Sequence, residues 1–396
     1  MFKKSLAAVA VLGAVAGYAS AANVSFYGVV DEGLLYTHVK SEATGEADVK
    51  EHKFTLDSGI NAGSRFGLKG TEDLGNGLKV GFVLENSFNG DDGSLGHNGR
   101  LFGREASLSV YSDFGTLSMG RMGGVGSAAG TYDVVFGTAD AFDGGDGEVL
   151  GLATSDRFDN MITYQSPKLA GLQATVQYSF KTNNTKDADL DAYKFDPTSG
   201  VENTAATDRY ASVALTGDFG ALQTVVAYEF TNVASNGKIN NSQVTLDRDD
   251  QHVVYVGGNY DCGFAKTFVM AQYFHGYDAD FEYDATSKTL DDIVSAKGYG
   301  LHLGAIVPVA GGDLTAGLYY VHAKPMGYDY VDNAEIDSDY AKYKYYGAAV
   351  KYEYSLSKRT SLYTGAGVWK EKVNYDDSTK DQDTGFQAYA GLTHKF

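Results

Sequence analysis

Cysteine, proline and positive charge are all scarce: one Cys and four Pro in 396 residues, and 32 Lys+Arg against 51 Asp+Glu. The single thiol, Cys262, closes no internal disulfide, and no Cys/His spacing of a structural zinc is present. The eight His, at 38, 52, 97, 252, 275, 302, 322 and 394, form no i, i+4 pair and no His-Glu-x-x-His run, which argues against a zinc hydrolase. A net charge of -19 excludes a basic nucleic-acid binder. Trp occurs once, yet Tyr occurs 29 times, Phe 21 and Gly 49, a composition of strands and turns rather than of helix bundles.

The N-terminus has the form of an export signal. Lys3 and Lys4 precede an apolar run, Ser5 to Gly17, too short to span a bilayer, and Ala19-Ser20-Ala21 offers a small-x-small cleavage site. Residues 1–21 are expected to be a cleaved secretory signal and 22–396 the mature domain. No later segment reaches the ~18 consecutive apolar residues of a membrane helix. A closed barrel is the other structure that satisfies every backbone group in lipid.

From Asn23 onward the pattern alternates with period two. Leu172, Ala174, Val176, Tyr178 and Phe180 interleave with Gln173, Thr175, Gln177, Ser179 and Lys181, giving one apolar and one polar face. A soluble sandwich turns such an apolar face into a core; an outer-membrane barrel turns it to lipid and the polar face to a lumen. Two features favour the barrel. Short links (71–77, 113–115, 217–220, 261–264, 309–313, 357–360) alternate with long polar ones, as periplasmic turns alternate with extracellular loops. The chain also closes on an alternating strand, Phe386, Ala388, Ala390, Leu392, His394 and Phe396. Strands are expected at 24–37, 54–70, 78–88, 100–112, 116–122, 157–166, 172–181, 208–216, 221–231, 250–260, 265–277, 297–308, 314–323, 342–356, 361–374 and 385–396: an all-β, sixteen-stranded antiparallel transmembrane barrel.

Charge at a pore's narrowest point acts on a passing solute most strongly. By parity Arg65 faces away from Phe66, and Arg157 away from Phe158, Ile162 and Tyr164, so both point into the lumen; the bland alternative is rim arginines pairing with lipopolysaccharide. Strict alternation aims Arg104 and Arg121 at lipid, at a cost of ~2 to 4 kcal/mol at mid-bilayer. Each follows a glycine, Gly103 and Gly120, where a bulge would reverse the parity and return both to the lumen; the alternative is an interfacial or subunit-facing position. Residues 123–156 are too long for an idle connection and carry Asp133, Asp140, Asp143, Asp146 and Glu148 with no base before Arg157. These acids are expected to face the arginines across the pore and set up a transverse field.

The remaining motifs are weak. Gly124-Val-Gly-Ser-Ala-Ala129 loosely fits a dinucleotide fingerprint, but no amphipathic helix follows it. Asp187-Ala-Asp-Leu-Asp191 opens like a calcium loop, yet its sixth position is Ala192 and its twelfth Thr198. No Gly-x-Ser-x-Gly nucleophile elbow is present. No cofactor or resident metal is expected. Residues 278–296, 324–341 and 375–384 hold fifteen acids against three lysines, readable as solubility, as cation bridging to lipopolysaccharide, or as a cation-gathering vestibule.

Val24-Ser-Phe-Tyr-Gly-Val-Val-Asp31 and Gly63-Ser-Arg-Phe-Gly-Leu-Lys-Gly-Thr-Glu-Asp-Leu-Gly-Asn-Gly-Leu-Lys79 resemble the general porins of Gram-negative outer membranes, especially the betaproteobacterial branch. Gly99-Arg-Leu-Phe-Gly-Arg-Glu-Ala106, Phe114-Gly-Thr-Leu-Ser-Met-Gly-Arg121, Arg157-Phe-Asp-Asn-Met-Ile-Thr-Tyr-Gln-Ser-Pro167 and Gly391-Leu-Thr-His-Lys-Phe396 continue the likeness in order. The resemblance implies a homotrimer, a third loop folded inward to narrow the pore, and arginines 104 and 121 in the lumen. Phe396 resembles the C-terminal signal read by the barrel-assembly machinery. One departure stands out: where many relatives carry Pro-Glu-Phe-Gly-Gly in the inward loop, this chain reads Asp140-Ala-Phe-Asp-Gly-Gly-Asp-Gly-Glu148.

The expected function is therefore an outer-membrane general diffusion porin passing ions and small hydrophilic solutes, in contact with outer-membrane lipid and lipopolysaccharide. The rivals are a solute-selective porin, a barrel enzyme, for which the scattered His supply no catalytic grouping, and a plugged barrel acting as adhesin or structural anchor.

Overall fold

The computed structural model describes residues 22–396 apart from 129, 144, 146–148, 183–194, 197–201, 205–206, 235, 240–241, 246–248, 279–292, 330–333, 336–340 and 376–377. The expected signal segment, Asp146, Glu148 and the Asp187–Asp191 motif lie outside the described residues.

The wall consists of β1 (Ala22–Ala43), β2 (Val49–Ser58), β3 (Arg65–Gly75), β4 (Leu78–Ser87), β5 (Glu105–Ser112), β6 (Gly115–Gly123), β7 (Arg157–Gln165), β8 (Leu172–Ser179), β9 (Arg209–Phe219), β10 (Leu222–Asn232), β11 (Gln251–Asp261), β12 (Lys266–Asp278), β13 (Ile293–Val309), β14 (Gly312–Asp329), β15 (Ala341–Ser355), β16 (Thr360–Tyr375) and β17 (Lys380–Lys395). Each pairs antiparallel with its neighbour, and β17 pairs with β1 from Val29↔Lys395 to Ala43↔Asp381, which closes the ring. β2 and β3 are two halves of one stave: β1 holds β3 through Ala22↔Glu72 to Val29↔Arg65 and β2 through Glu32↔Ser58 to Ser41↔Val49. The barrel thus has 16 strands, as the alternation predicts.

The expected single strand 54–70 is corrected to this broken pair. The break spans residues 59–64 and is organised by Asp31, whose backbone oxygen accepts from Gly59 N–H (2.9 Å) and whose Oδ1 accepts from Asn61 N–H (3.1 Å). Several strands also outrun the expectation at the long-loop rim: β1 reaches Ala43, β13 starts at Ile293 and β14 reaches Asp329. There the hydrogen-bond ladder continues after the apolar alternation ends. At the other rim the turns are tight, and Gly75, Asn76 and Gly77 all take positive φ (83°, 51° and 79°) to reverse the chain between β3 and β4.

The outer face is apolar and exposed: Leu108, Val176, Val226, Val256, Leu303, Leu318 and Leu362 all point outward. The alternating inner positions are polar and buried, among them Ser107, Ser118, Thr163, Gln177, Ser212, Gln272 and Thr315. This inverts a soluble core and suits a wall with lipid outside. No helix among the described residues is long and apolar enough to cross a membrane.

Candidate functional site

The described residues of the chain between β6 and β7 hydrogen-bond to one another and to side chains of several strands. Its base is closed by Gly124 N–H to Asp156 O (3.0 Å) and Ser155 N–H to Gly126 O (2.9 Å). It then bonds strand after strand around the ring. Thr131 Oγ1 donates to Glu105 Oε2 (2.7 Å), Gly126 N–H to Glu229 Oε1 (2.9 Å) and Ala153 N–H to Gln272 Oε1 (2.8 Å), while Asn259 Nδ2 donates to Thr138 O (2.7 Å). Tyr319 Oη donates to Asp140 Oδ1 (3.0 Å), which also lies 3.0 Å from His302 Nε2. Val125, Val135, Phe136, Ala139 and Val149 of this segment are fully buried and belong to an apolar cluster of buried side chains. Glycines make room for two of them: a Cβ on Gly347 would lie 2.5 Å from Val149 O, and one on Gly257 2.7 Å from Ala139 Cβ.

Four arginines gather on the side of β3 to β7. Arg104 Nε donates to Glu85 Oε1 at 2.6 Å, and Glu85 Oε2 accepts from Tyr27 Oη at 2.9 Å. Arg121 Nε donates to Gly103 O (2.7 Å) and its Nη1 to Asp159 Oδ1 (2.8 Å). Arg65 and Arg157 each lie within electrostatic range of Arg104, and Arg157 also of Arg121. The expected bulge at Arg121 is present: Gly120 has φ 134°, the β6–β7 register shifts between Gly120 and Met122, and Arg121 is buried while Met119, two residues earlier, is exposed. At Arg104 the bulge is corrected. β5 begins only at Glu105, so Arg104 precedes the strand and alternation does not constrain it.

The acids separate by environment. Asp133 and Asp143 share a hydrogen bond, and Asp133 lies within electrostatic range of Arg157. Burial and the Asp133 carboxylate push Asp143 up to about 9, and burial raises Asp133 as well. Asp140 is only 2% exposed and held by Tyr319 and His302, which removes it from the charges a passing solute meets.

Sequence reading missed four participants. His97, in the turn before β5, sits among Arg157, Arg104 and Arg121; burial and these cations hold it down to about 4. Lys351 of β15 donates to Asn61 Oδ1 (2.6 Å) and lies over the Phe142 ring. Glu85 and Asp159 neutralise the two inner arginines. Only the inward parity of Glu85 and Lys351 on their strands signalled any of this.

The Gram-negative porin family model matches residues 7–378. The chain belongs to the Gram-negative porin family. This porin is 30% identical over 422 residues to an outer membrane porin protein of Bordetella pertussis, covering 100% of both chains. It is 29% identical to outer membrane porin protein 32 of Delftia acidovorans, covering 93% of this chain and 90% of that one. Its fold is shared with the anion-selective porin from Comamonas acidovorans, at TM-score 0.58 and 24% identity over 95% of this chain and 100% of that one. The porin is a multi-pass β-barrel of the outer membrane.

Proposed function

We propose that this porin is a general diffusion channel whose third loop, residues 124–156, folds inward and narrows a water-filled lumen. The observation that carries the reading is the reach of that loop: one segment bonds Glu105 of β5, Glu229 of β10, Gln272 of β12 and Tyr319 of β14, and only the inside of a ring offers all four to one chain. Arg65, Arg104, Arg121 and Arg157 form the basic wall of the constriction, with His97 neutral among them. Asp133 and Asp143 form the facing acidic edge, and Asp140 positions the loop. Asp146 and Glu148 belong to the same acidic stretch by sequence.

The protein carries out no chemistry: it passes ions and small hydrophilic solutes down their gradients. It works as a homotrimer, and Phe396 is its assembly signal, a role supported by the pairing of Phe396 with Gly28 through two backbone hydrogen bonds (3.0 and 3.2 Å) that close the last strand on the first. Residues 1–21 are removed on export. Outer-leaflet lipopolysaccharide surrounds the barrel.

A solute-selective channel is the second reading, favoured by the density of paired charge at the loop. Liposome swelling separates the two. A general porin gives rates that fall smoothly with sugar size and rise linearly with concentration; saturation by one sugar or dicarboxylate would establish the selective alternative.

A further inference from the structure

The outer face of the long-loop rim between β13 and β16 plays no part in the pore. There β15 turns Lys342, Lys344 and Tyr346 outward, while Ala341, Tyr345 and Ala349 are buried inward. The register places Lys344 opposite Lys372 and Tyr346 opposite Lys370 of β16. On the other flank His322 of β14 stands opposite Lys344, and Lys344, Lys324 and Lys342 all act on it electrostatically. β13 adds Lys297, opposite Lys324. Six lysines from four adjacent strands therefore share one patch in a chain of net charge -19.

The strands sort their charges by face: Glu371, Asp381 and Asp383 alternate with Lys370 and Lys372 and with Gln382, so the acids turn inward and the lysines outward. Like charges directly opposite on neighbouring strands destabilise a sheet. Among the described residues no carboxylate lies within salt-bridge distance of Lys342, Lys344, Lys370 or Lys372. The Nδ1 of His322, in the middle of the patch, is buried without a hydrogen-bond partner. An anion between the opposed lysines removes the repulsion.

What lies below the patch identifies the carrier of that anion. Tyr299, Tyr320 and Tyr346 form a row of rings with centroids 6.1 and 5.2 Å apart, and Leu301, Leu303, Leu318 and Val350 are exposed beneath them. The wall therefore runs apolar, aromatic, basic towards the long-loop rim, the order in which a lipid presents acyl chains, interface and charged head.

We propose that this wall is a binding site for the phosphate groups of the outer-leaflet glycolipid, the lipid A moiety of lipopolysaccharide, with a phosphate bridging Lys344 and Lys372. The proposal rests on the outer-membrane location and deepens it to a site. Free phosphate and a lipid headgroup share this chemistry, so the test uses both.

Folded, delipidated protein in detergent is titrated calorimetrically with diphosphoryl lipid A, with dephosphorylated lipid A and with inorganic phosphate. Wild type is expected to bind the diphosphoryl lipid best. Lys342→Gln/Lys344→Gln/Lys370→Gln/Lys372→Gln is expected to weaken that binding about tenfold or more, and Lys266→Gln/Lys395→Gln, at the opposite rim, to leave it unchanged. The pair Lys344→Gln/Lys372→Gln serves if the quadruple variant lacks the heat-modifiable mobility of a folded barrel. Unchanged affinity in the folded variant overturns the proposal, as do equal binding of dephosphorylated lipid, inorganic phosphate binding as tightly as the lipid, or loss of barrel association in place of lipid binding. Wild-type conductance in bilayers keeps the porin reading separate: present with unaltered lipid binding, it leaves the channel standing and removes the site.

Discussion

Raising the pH should turn this channel towards cations, because the Asp133–Asp143 pair holds a proton at neutrality. The two carboxyls share a hydrogen bond, and Asp143 loses its proton only near about 9. Between pH 7 and pH 10 the acidic edge therefore gains one negative charge. A monovalent cation passing ~5 Å from that carboxylate gains about 0.8 kcal/mol at the dielectric of water, roughly a fourfold change in local occupancy. The Debye length of ~10 Å at 0.1 M salt leaves the effect largely unscreened. Reversal potentials under a KCl gradient at 0.1 M mean salt, taken at half-unit pH steps, should show the K+/Cl- permeability ratio rising two- to fourfold with a midpoint near about 9. Asp143→Asn should remove that step and leave only the slower drift from tyrosine and lysine titration. The sign for stability follows from the same group. Its folded pKa is raised above the ordinary 3.8, so its contribution is fully present below that value and is lost as pH rises through about 9. A wild-type ratio that is flat from pH 7.5 to 10, or a step that persists in Asp143→Asn, would refute the assignment of this pair to the constriction.

Two further perturbations address the opposite wall and the loop. Arg65→Glu with Arg121→Glu should increase cation preference even at 1 M salt, where the Debye length is only ~3 Å; an unchanged high-salt permeability ratio would place those arginines outside the constriction. Gly347→Val drives a Cβ to 2.5 Å from Val149 O, so it should cost about 1 to 3 kcal/mol of overpacking, lower the thermal midpoint and alter single-channel conductance. No change in either quantity would mean that Val149 does not hold the loop against β15.

Period-two alternation made the barrel legible in the sequence, since a lipid-facing Val or Leu at every second position leaves few other structures open. Where lipid ends, that signal ends too, and the rim extensions of β1, β13 and β14 were invisible for this reason. The stave break at 59–64 was foreshadowed only by Gly59 and Gly63, because Ile60 and Phe66 still read as strand. Gly120 betrayed the bulge that re-aims Arg121. Gly103 misled, since Arg104 needs no bulge when its strand starts one residue later. In the third loop the acids drew attention while the apolar residues did the anchoring: Ala139, Phe142 and Val149 have no periodicity to reveal that they pack on glycines of distant strands. The burial of Asp140 depends on Tyr319 and His302, more than 150 positions away, a pairing that local pattern does not contain.

Planar-bilayer recording of the purified, folded protein tests the open, charge-lined lumen most directly. Stepwise, long-lived openings are expected, with conductance that scales with bath salt, and with a cation preference that shrinks or reverses in concentrated salt as the acidic charge of segments 278–296, 324–341 and 375–384 is screened while that of the arginines persists. Protein that inserts as a folded barrel yet gives no steps would contradict it and point instead to a plugged barrel.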